Sequence, residues 1–197
     1  MLAQLMRIAM KAKGLTLIEL AVVVAVLAVI LTLAVPSMSD LIFRRRIEGI
    51  ASELVSDIQL LRAQALLKPG GYDVKELVAA IQVGNGLGAD ACYTLYWQWD
   101  GSTCDCSKPP GQACQSATPW AEIKTVHLPK TSGLKLSTNE PSATGGFEPG
   151  LHWFDPAGFR VTVAGNRAGS LSVLVDKLGR VSICSPDGSF KNYVKCQ

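Results

Sequence analysis

Lys11-Ala12-Lys13-Gly14-Leu15-Thr16-Leu17-Ile18-Glu19-Leu20 leads into an almost unbroken apolar run from Ala21 to Val35. Between Leu15 and Val35 only Thr16, Glu19 and Thr32 are polar, and a helix of roughly 20 residues is what a bilayer core requires. No other stretch approaches that length, so the run reads as a single membrane segment. Glu19 is the anomaly. An ionised carboxylate within lipid costs on the order of 3 kcal/mol even on lenient insertion scales, so it is normally paired or protonated. No lysine or arginine lies one helical turn away inside the apolar run. Either Glu19 reaches headgroups at the interface, or its partner comes from elsewhere, another chain included.

Beyond Pro36 the helical pattern continues. Phe43, Ile47, Ile50, Leu54, Ile58, Leu61 and Ala65 recur at steps of three and four, one apolar face of an amphipathic helix. Glu48, Glu53, Asp57 and Gln59 fall largely off that stripe, and Pro69-Gly70-Gly71 ends it. The two halves together predict one helix of about 50 residues whose second half packs on something. Arg44-Arg45-Arg46 follows Pro36 by about two helical turns, where it reads as an interfacial cluster facing anionic headgroups or neighbouring subunits.

The formal net charge is +3. Arg7, Lys11 and Lys13 account for most of it, so the part from Ser37 onward is near neutral and bulk charge does not argue for nucleic acid. The positive-inside rule places the Lys11/Lys13 end in the cytoplasm, with Met6 and Met10 as alternative starts. Cys92, Cys104, Cys106, Cys114, Cys184 and Cys196 all lie beyond the apolar run, which fits an oxidising compartment such as the periplasm. Cys104 and Cys106 are too close to bridge each other comfortably, so each is expected to reach Cys92 or Cys114, and Cys184 with Cys196 to close a C-terminal loop. Cys-x-x-Cys is absent and His127 and His152 lack ligand-like spacing, so no metal site is expected.

Val74 to Ile81 reads as a short helix and Gly84-Asn85-Gly86-Leu87-Gly88 as a loop. From Cys92 the period becomes two, with Tyr93, Leu95, Trp97 and Trp99 alternating against Cys92, Thr94, Tyr96 and Gln98 in a strand. A cysteine- and proline-rich loop spans 100–119, and a strand runs from Glu122 to Leu128. After a Gly/Pro/Thr/Ser-rich stretch over 137–150, His152–Phe154 and Phe159–Val163 read as short strands around the turn Asp155-Pro156-Ala157-Gly158. Ser170–Val175 and Arg180–Cys184 form a hairpin across Asp176-Lys177-Leu178-Gly179. Trp97, Trp99, Trp120 and Trp153 read as core or sheet-face residues.

Gly14 followed by Leu-Thr-Leu-Ile-Glu-Leu resembles the class III signal of type IV pilins and type II secretion pseudopilins. Leu60-Leu61-Arg62-Ala63-Gln64-Ala65, Phe-Asp-Pro-x-Gly at 154–158 and Val-x-x-x-Gly-Arg-Val at 175–181 resemble the GspH/FimT branch. The resemblance implies that an inner-membrane prepilin peptidase cuts after Gly14 and methylates the new N-terminus of Leu15. Counted from that cut, Glu19 is fifth and Pro36 twenty-second, matching the family's assembly glutamate and helix-kinking proline. Leu15 departs from the phenylalanine usual after the cut. The implied fold is α+β and type IV pilin-like, a long N-terminal helix packed on a mainly antiparallel, disulfide-bearing sheet. The implied layout is a leader over 1–14, a transmembrane assembly helix over 15–36, an amphipathic half over 37–68 and a periplasmic β-rich domain over 69–197.

A Gly-rich phosphate loop, a paired-carboxylate motif and a Ser/His/Asp signature are all lacking, so neither catalytic residues nor a cofactor are expected. The expected role is that of a minor pilin or pseudopilin in the tip or priming complex of a type II secretion or type IV pilus filament. It would be anchored once in the inner membrane, with other pilins or pseudopilins, the prepilin peptidase and the inner membrane as partners. The alternative is DNA uptake. FimT-like minor pilins bind DNA through a basic tail with a Gly-Arg-x-Arg motif, and the candidate contacts here are Arg180, Lys191 and Lys195. Gly179-Arg180-Val181-Ser182 lacks the second arginine.

Overall fold

The computed structural model describes residues 16–67, 78–84, 91–98, 103–114, 122–148, 153–165 and 168–197, without the side chains of 33–37 and 130. A single helix, α1 (Leu17–Leu67), spans 51 residues, and the chain divides into two units, Met1–Ser39 and Asp40–Gln197.

In the first unit, Thr16 stands at the N-cap of α1. Its hydroxyl and its carbonyl both accept from the Glu19 amide, at 3.3 and 3.1 Å, which satisfies a donor the first turn leaves open. Thr32 turns its hydroxyl back onto the Val29 carbonyl at 2.7 Å, so the one polar side chain in mid-run is internally paired. Leu17, Ile18, Leu20, Val22, Val23, Val24, Leu27, Ile30 and Leu31 are exposed. Among the described residues no helix is long and apolar enough to cross a membrane. The described side chains of the apolar half run from Leu17 to Thr32 and resume at Met38.

In the second unit the stripe read from the sequence is the buried face. Ile47, Ala51, Leu54, Ile58 and Leu61 are fully buried and Ala65 nearly so, with Phe43 and Ile50 half-buried at the margins. Each of the larger side chains contributes about 2 kcal/mol on leaving water, which is what holds this half of α1 in place.

Two antiparallel sheets receive it. The first, ordered β3-β2-β1-β5-β6, is built from β1 (Val78–Gly84), β2 (Cys92–Gln98), β3 (Glu122–His127), β5 (Thr144–Phe147) and β6 (Phe154–Asp155). The second, ordered β4-β7-β8-β9, takes β4 (Leu134–Thr138), β7 (Phe159–Gly165), β8 (Gly169–Val175) and β9 (Val181–Cys184). One core joins the helix stripe to Ile81, Tyr93, Leu95 and Trp97 of the first sheet and to Val161, Val163, Leu171 and Val173 of the second.

The second sheet is one-sided in the ordinary way. In β7, Phe159, Val161 and Val163 are buried while Arg160, Thr162 and Ala164 are half-exposed. β2 differs, being buried on both faces from Cys92 to Trp97. Tyr93, Leu95 and Trp97 join the main core, while Tyr96 sits with Ala80 and Cys104 in a separate outer cluster.

The cover on that outer face is the segment 103–114. Cys92–Cys106 ties it to β2 and Cys104–Cys114 closes it on itself. Glu122 of β3 clamps it by accepting from the Gly111 and Ala113 amides at 2.8 and 3.0 Å. His127 hydrogen-bonds the Lys108 carbonyl at 3.0 Å. Cys184–Cys196 pins the C-terminal tail.

Two readings of the sequence are corrected here. The segment expected as a helix over Val74–Ile81 is strand β1 from Val78, paired on one side with β2 and on the other with β5. Its apolar residues were compatible with either state, and two ladders of hydrogen bonds decide for the strand. The Gly/Pro/Thr/Ser-rich stretch over 137–150, to which the sequence assigns no strand, contains the end of β4 and all of β5. β5 escaped notice because it reads Thr-Gly-Gly-Phe, and glycine is a poor strand former. Its glycines have a packing reason, since a Cβ on Gly146 would lie 2.6 Å from Val78 Cγ1 and 2.9 Å from the Ala79 carbonyl oxygen.

Candidate functional site

Polar and charged side chains gather at several places among the described residues. The first lies under β2 and β3. Asp57, placed off the apolar stripe by its sequence position, is buried at 5% exposure, and this too is a correction. It borders the stripe, three residues after Leu54, where an i+3 neighbour shares the same face. The Tyr93 hydroxyl donates to Asp57 Oδ2 at 2.7 Å. Lys124 Nζ donates to both Asp57 oxygens at 2.8 and 2.9 Å and to Glu53 Oε1 at 3.0 Å. Burial, the Asp57 hydrogen bond and the two carboxylates push the Tyr93 hydroxyl far above its ordinary value. Burial alone would lower the Lys124 ammonium, but its bonds to Asp57 and Glu53 outweigh that and raise it. The cluster therefore holds Tyr93 neutral and Lys124 charged, an arrangement suited to fixing a helix on a sheet rather than to moving a proton.

The second place is a groove of about 290 Å³ between the start of the amphipathic half and the tail. Leu41, Arg44, Arg45, Glu48, Ser189, Phe190, Lys191 and Asn192 line it. Arg44 Nη1 donates to the Ser189 carbonyl at 2.9 Å, and its guanidinium lies 5.3 Å from the Phe190 ring centroid. Arg45 pairs with Glu48 at 3.2 Å. Arg46 turns elsewhere, over the Phe43 ring.

The tail is held in position by Asp187. It accepts from the Ser185, Ser189 and Ser170 hydroxyls at 3.1, 2.6 and 3.0 Å. Burial pushes this carboxyl up, but those hydrogen bonds and the Ser189 amide prevail and bring it down to about 2. Gly169, at φ +88°, leaves the space Ser189 fills, and a Cβ there would overlap that side chain.

The third is the tip of the β8–β9 hairpin. Arg180 Nε donates to Asp176 Oδ2 at 2.6 Å. Arg62 Nη1 donates to the Gly179 carbonyl at 3.4 Å. Lys177 stands over the Trp153 ring, 4.8 Å from its centroid.

These contacts decide how the candidate DNA-binding residues relate. The tip carrying Arg180 meets α1 at Arg62, whereas Lys191 lies beside Arg44. At 1.5 Å per helical residue, those positions are about 27 Å apart along the axis. Lys195 is exposed where the tail pairs with Ser185. Arg180 therefore does not share one patch with Lys191.

Glu19 is exposed in the first turn of α1 and Pro36 lies within α1, while Gly14 and Leu15 fall outside the described residues. His152, Trp99 and Trp120 also fall outside them, and among the described residues no group of three or more His, Cys, Asp or Glu is placed to hold a metal ion. Sequence reasoning missed Tyr93–Asp57–Lys124, for which the one available signal was an acid at the edge of an apolar stripe. It also missed the joining of Arg44 to the tail, for which nothing local speaks.

Residues 9–35 match the family described as Prokaryotic N-terminal methylation motif, a type IV prepilin-like signal. Neither a curated protein nor a solved structure matches the chain. The motif supports the pilin and pseudopilin class, implies processing by prepilin peptidase and assembly with other pilins, and suggests a structural subunit that is membrane-anchored and then incorporated into a filament.

Proposed function

We propose that this chain is a minor pilin or pseudopilin of the GspH/FimT type, a non-enzymatic subunit in the tip or priming complex of a type II secretion or type IV pilus filament. The observation that carries the reading is the methylation motif over 9–35 with Glu19 standing five residues after Gly14. In this reading residues 1–14 are removed, Leu15 gains a methylated amine, and 15–36 forms the single inner-membrane crossing. Residues 37–68 and 69–197 then form the periplasmic domain. The Glu19 carboxylate of an incoming subunit meets the Leu15 amine of a neighbour within the membrane. Two charges that pair there cancel much of a desolvation cost neither bears alone, and Pro36 adjusts the helix that carries the domain outward.

The test is Glu19→Ala beside Gly14→Ala. The first inserts and is cleaved but enters filaments poorly, read by immunoblot of sheared filament fractions. The second stays as a slower-migrating precursor. Normal filament entry of the Glu19 variant overturns the reading. A DNA-uptake role draws no support from the tail, where Arg180 is engaged by Asp176 and stands far from Lys191.

A further inference from the structure

The arginine cluster read from the sequence has a use in the groove that α1 forms with the tail. We propose that this groove binds the phosphate of an anionic lipid headgroup at the bilayer surface, an inference that rests on the membrane-anchored reading above. Arg44, Arg45 and Lys191 converge on one opening, brought together across some 145 positions of sequence by the Arg44–Ser189 hydrogen bond. Among the described residues Glu48 is the one carboxylate lining it, and Arg45 takes it. Among the described residues no carboxylate pairs with Arg44 or Lys191, which leaves two cations uncompensated.

The chemistry of the lining fits a phosphate ester. Guanidinium groups present a planar fork of donors that matches phosphate oxygens, and the Asn192 side chain adds a neutral amide. Phe190, buried under Arg44, forms the floor. Leu41 is 53% exposed at the rim, an apolar edge beside cations of the kind an interface favours. In the chain, Arg44 follows Val35, the last residue of the apolar run, by nine residues. The groove is compact, below the roughly 300–1,000 Å³ of drug-sized sites. A nucleic-acid strand needs a track of cations along its backbone, whereas Arg180 is engaged by Asp176 at the hairpin tip that meets α1 at Arg62.

The test reads amide hydrogen exchange at Lys191 and Asn192 in the full chain, embedded in nanodiscs of phosphatidylcholine alone or with phosphatidylglycerol added. Exchange slows about fivefold or more with the anionic lipid. Lys191→Glu and Arg45→Ala reduce or abolish that difference. Lys195→Glu, the same charge change outside the groove, leaves it intact. Arg44 is spared because it also holds the tail. Equal exchange in both discs overturns the headgroup site and leaves the anchoring reading standing, whereas a chain that enters neither disc overturns both. Equal slowing in neutral discs on adding inorganic phosphate, or on adding duplex DNA, overturns the lipid assignment in favour of a free-anion or a nucleic-acid site.

Discussion

Replacing Asp57 by alanine should destabilise the sheet-bearing unit by about 3 kcal/mol, although no apolar contact of consequence is lost. The magnitude follows from what is left behind. The Tyr93 hydroxyl is fully buried and donates to Asp57, so its orphaning costs about 2 kcal/mol. Lys124 loses two of its three acceptors, but its side chain is 36% exposed and turns to Glu53 and water, which limits the added cost to about 1 kcal/mol. Tyr93→Phe removes one hydrogen bond to a charged acceptor and should cost about 1.5 kcal/mol. Lys124→Ala leaves the Asp57 carboxylate buried with a single donor, again about 3 kcal/mol. For a unit of this size each kcal/mol moves the midpoint by roughly 2–4 °C, so Asp57→Ala should melt roughly 6–12 °C lower.

The assay is thermal unfolding of the full chain in micelles, followed by near-ultraviolet circular dichroism from the buried aromatics. The pH dependence adds a second readout. The Tyr93 and Lys124 values both lie higher in the folded state than their ordinary values of 10.0 and 10.5. Their contribution is fully present below those ordinary values and is lost as the pH climbs through them toward the folded ones. Stability should therefore fall above about pH 10, and Tyr93→Phe should flatten part of that fall. An Asp57→Ala variant within about 0.5 kcal/mol of the parent, the range of ordinary surface changes, would refute the account of the cluster.

The acid side has its own marker. Asp187 lies near 2 against an ordinary 3.8, so its contribution is present above the ordinary value and lost as the pH drops toward 2. Asp187→Ala should remove that part of the acid limb of the stability profile. Gly146→Ala should cost about 2 kcal/mol in urea unfolding, because the added methyl meets Val78 and the Ala79 carbonyl. Replacing Cys184 and Cys196 together by serine opens a loop of sequence separation 12 and should cost about 3 kcal/mol. The same loss should make the tail, Phe190 included, more accessible to protease.

How much of this was readable beforehand depended on whether a signal was local. The stripe from Phe43 to Ala65 is periodic over six turns, and a pattern that long specifies a buried helix face by itself. The 159–163 and 170–184 strands were legible because alternation and a turn sequence agree there. Val78–Ile81 was not, since four apolar residues fit a helix or a strand until two neighbouring ladders choose. β5 was invisible because its glycines are demanded by a partner strand many residues earlier. Asp57 shows the same limit at the candidate site, as its partners Tyr93 and Lys124 meet only after two sheets and a helix have assembled. Arg44 and Ser189 are joined by the fold alone.

β2 shares a disulfide with the segment that covers it, so the domain has two layers held by different kinds of bond. The inner layer, helix against two sheets, is held by apolar burial. The outer layer, 103–114, is fastened by Cys92–Cys106 to β2, closed by Cys104–Cys114, and held by Glu122 through the Gly111 and Ala113 amides. Its rim at Pro109–Gly111 is exposed. Lengthening a surface loop costs little, about 0.6 kcal/mol per doubling, so this rim is where the chain can change its outer face without renegotiating its fold.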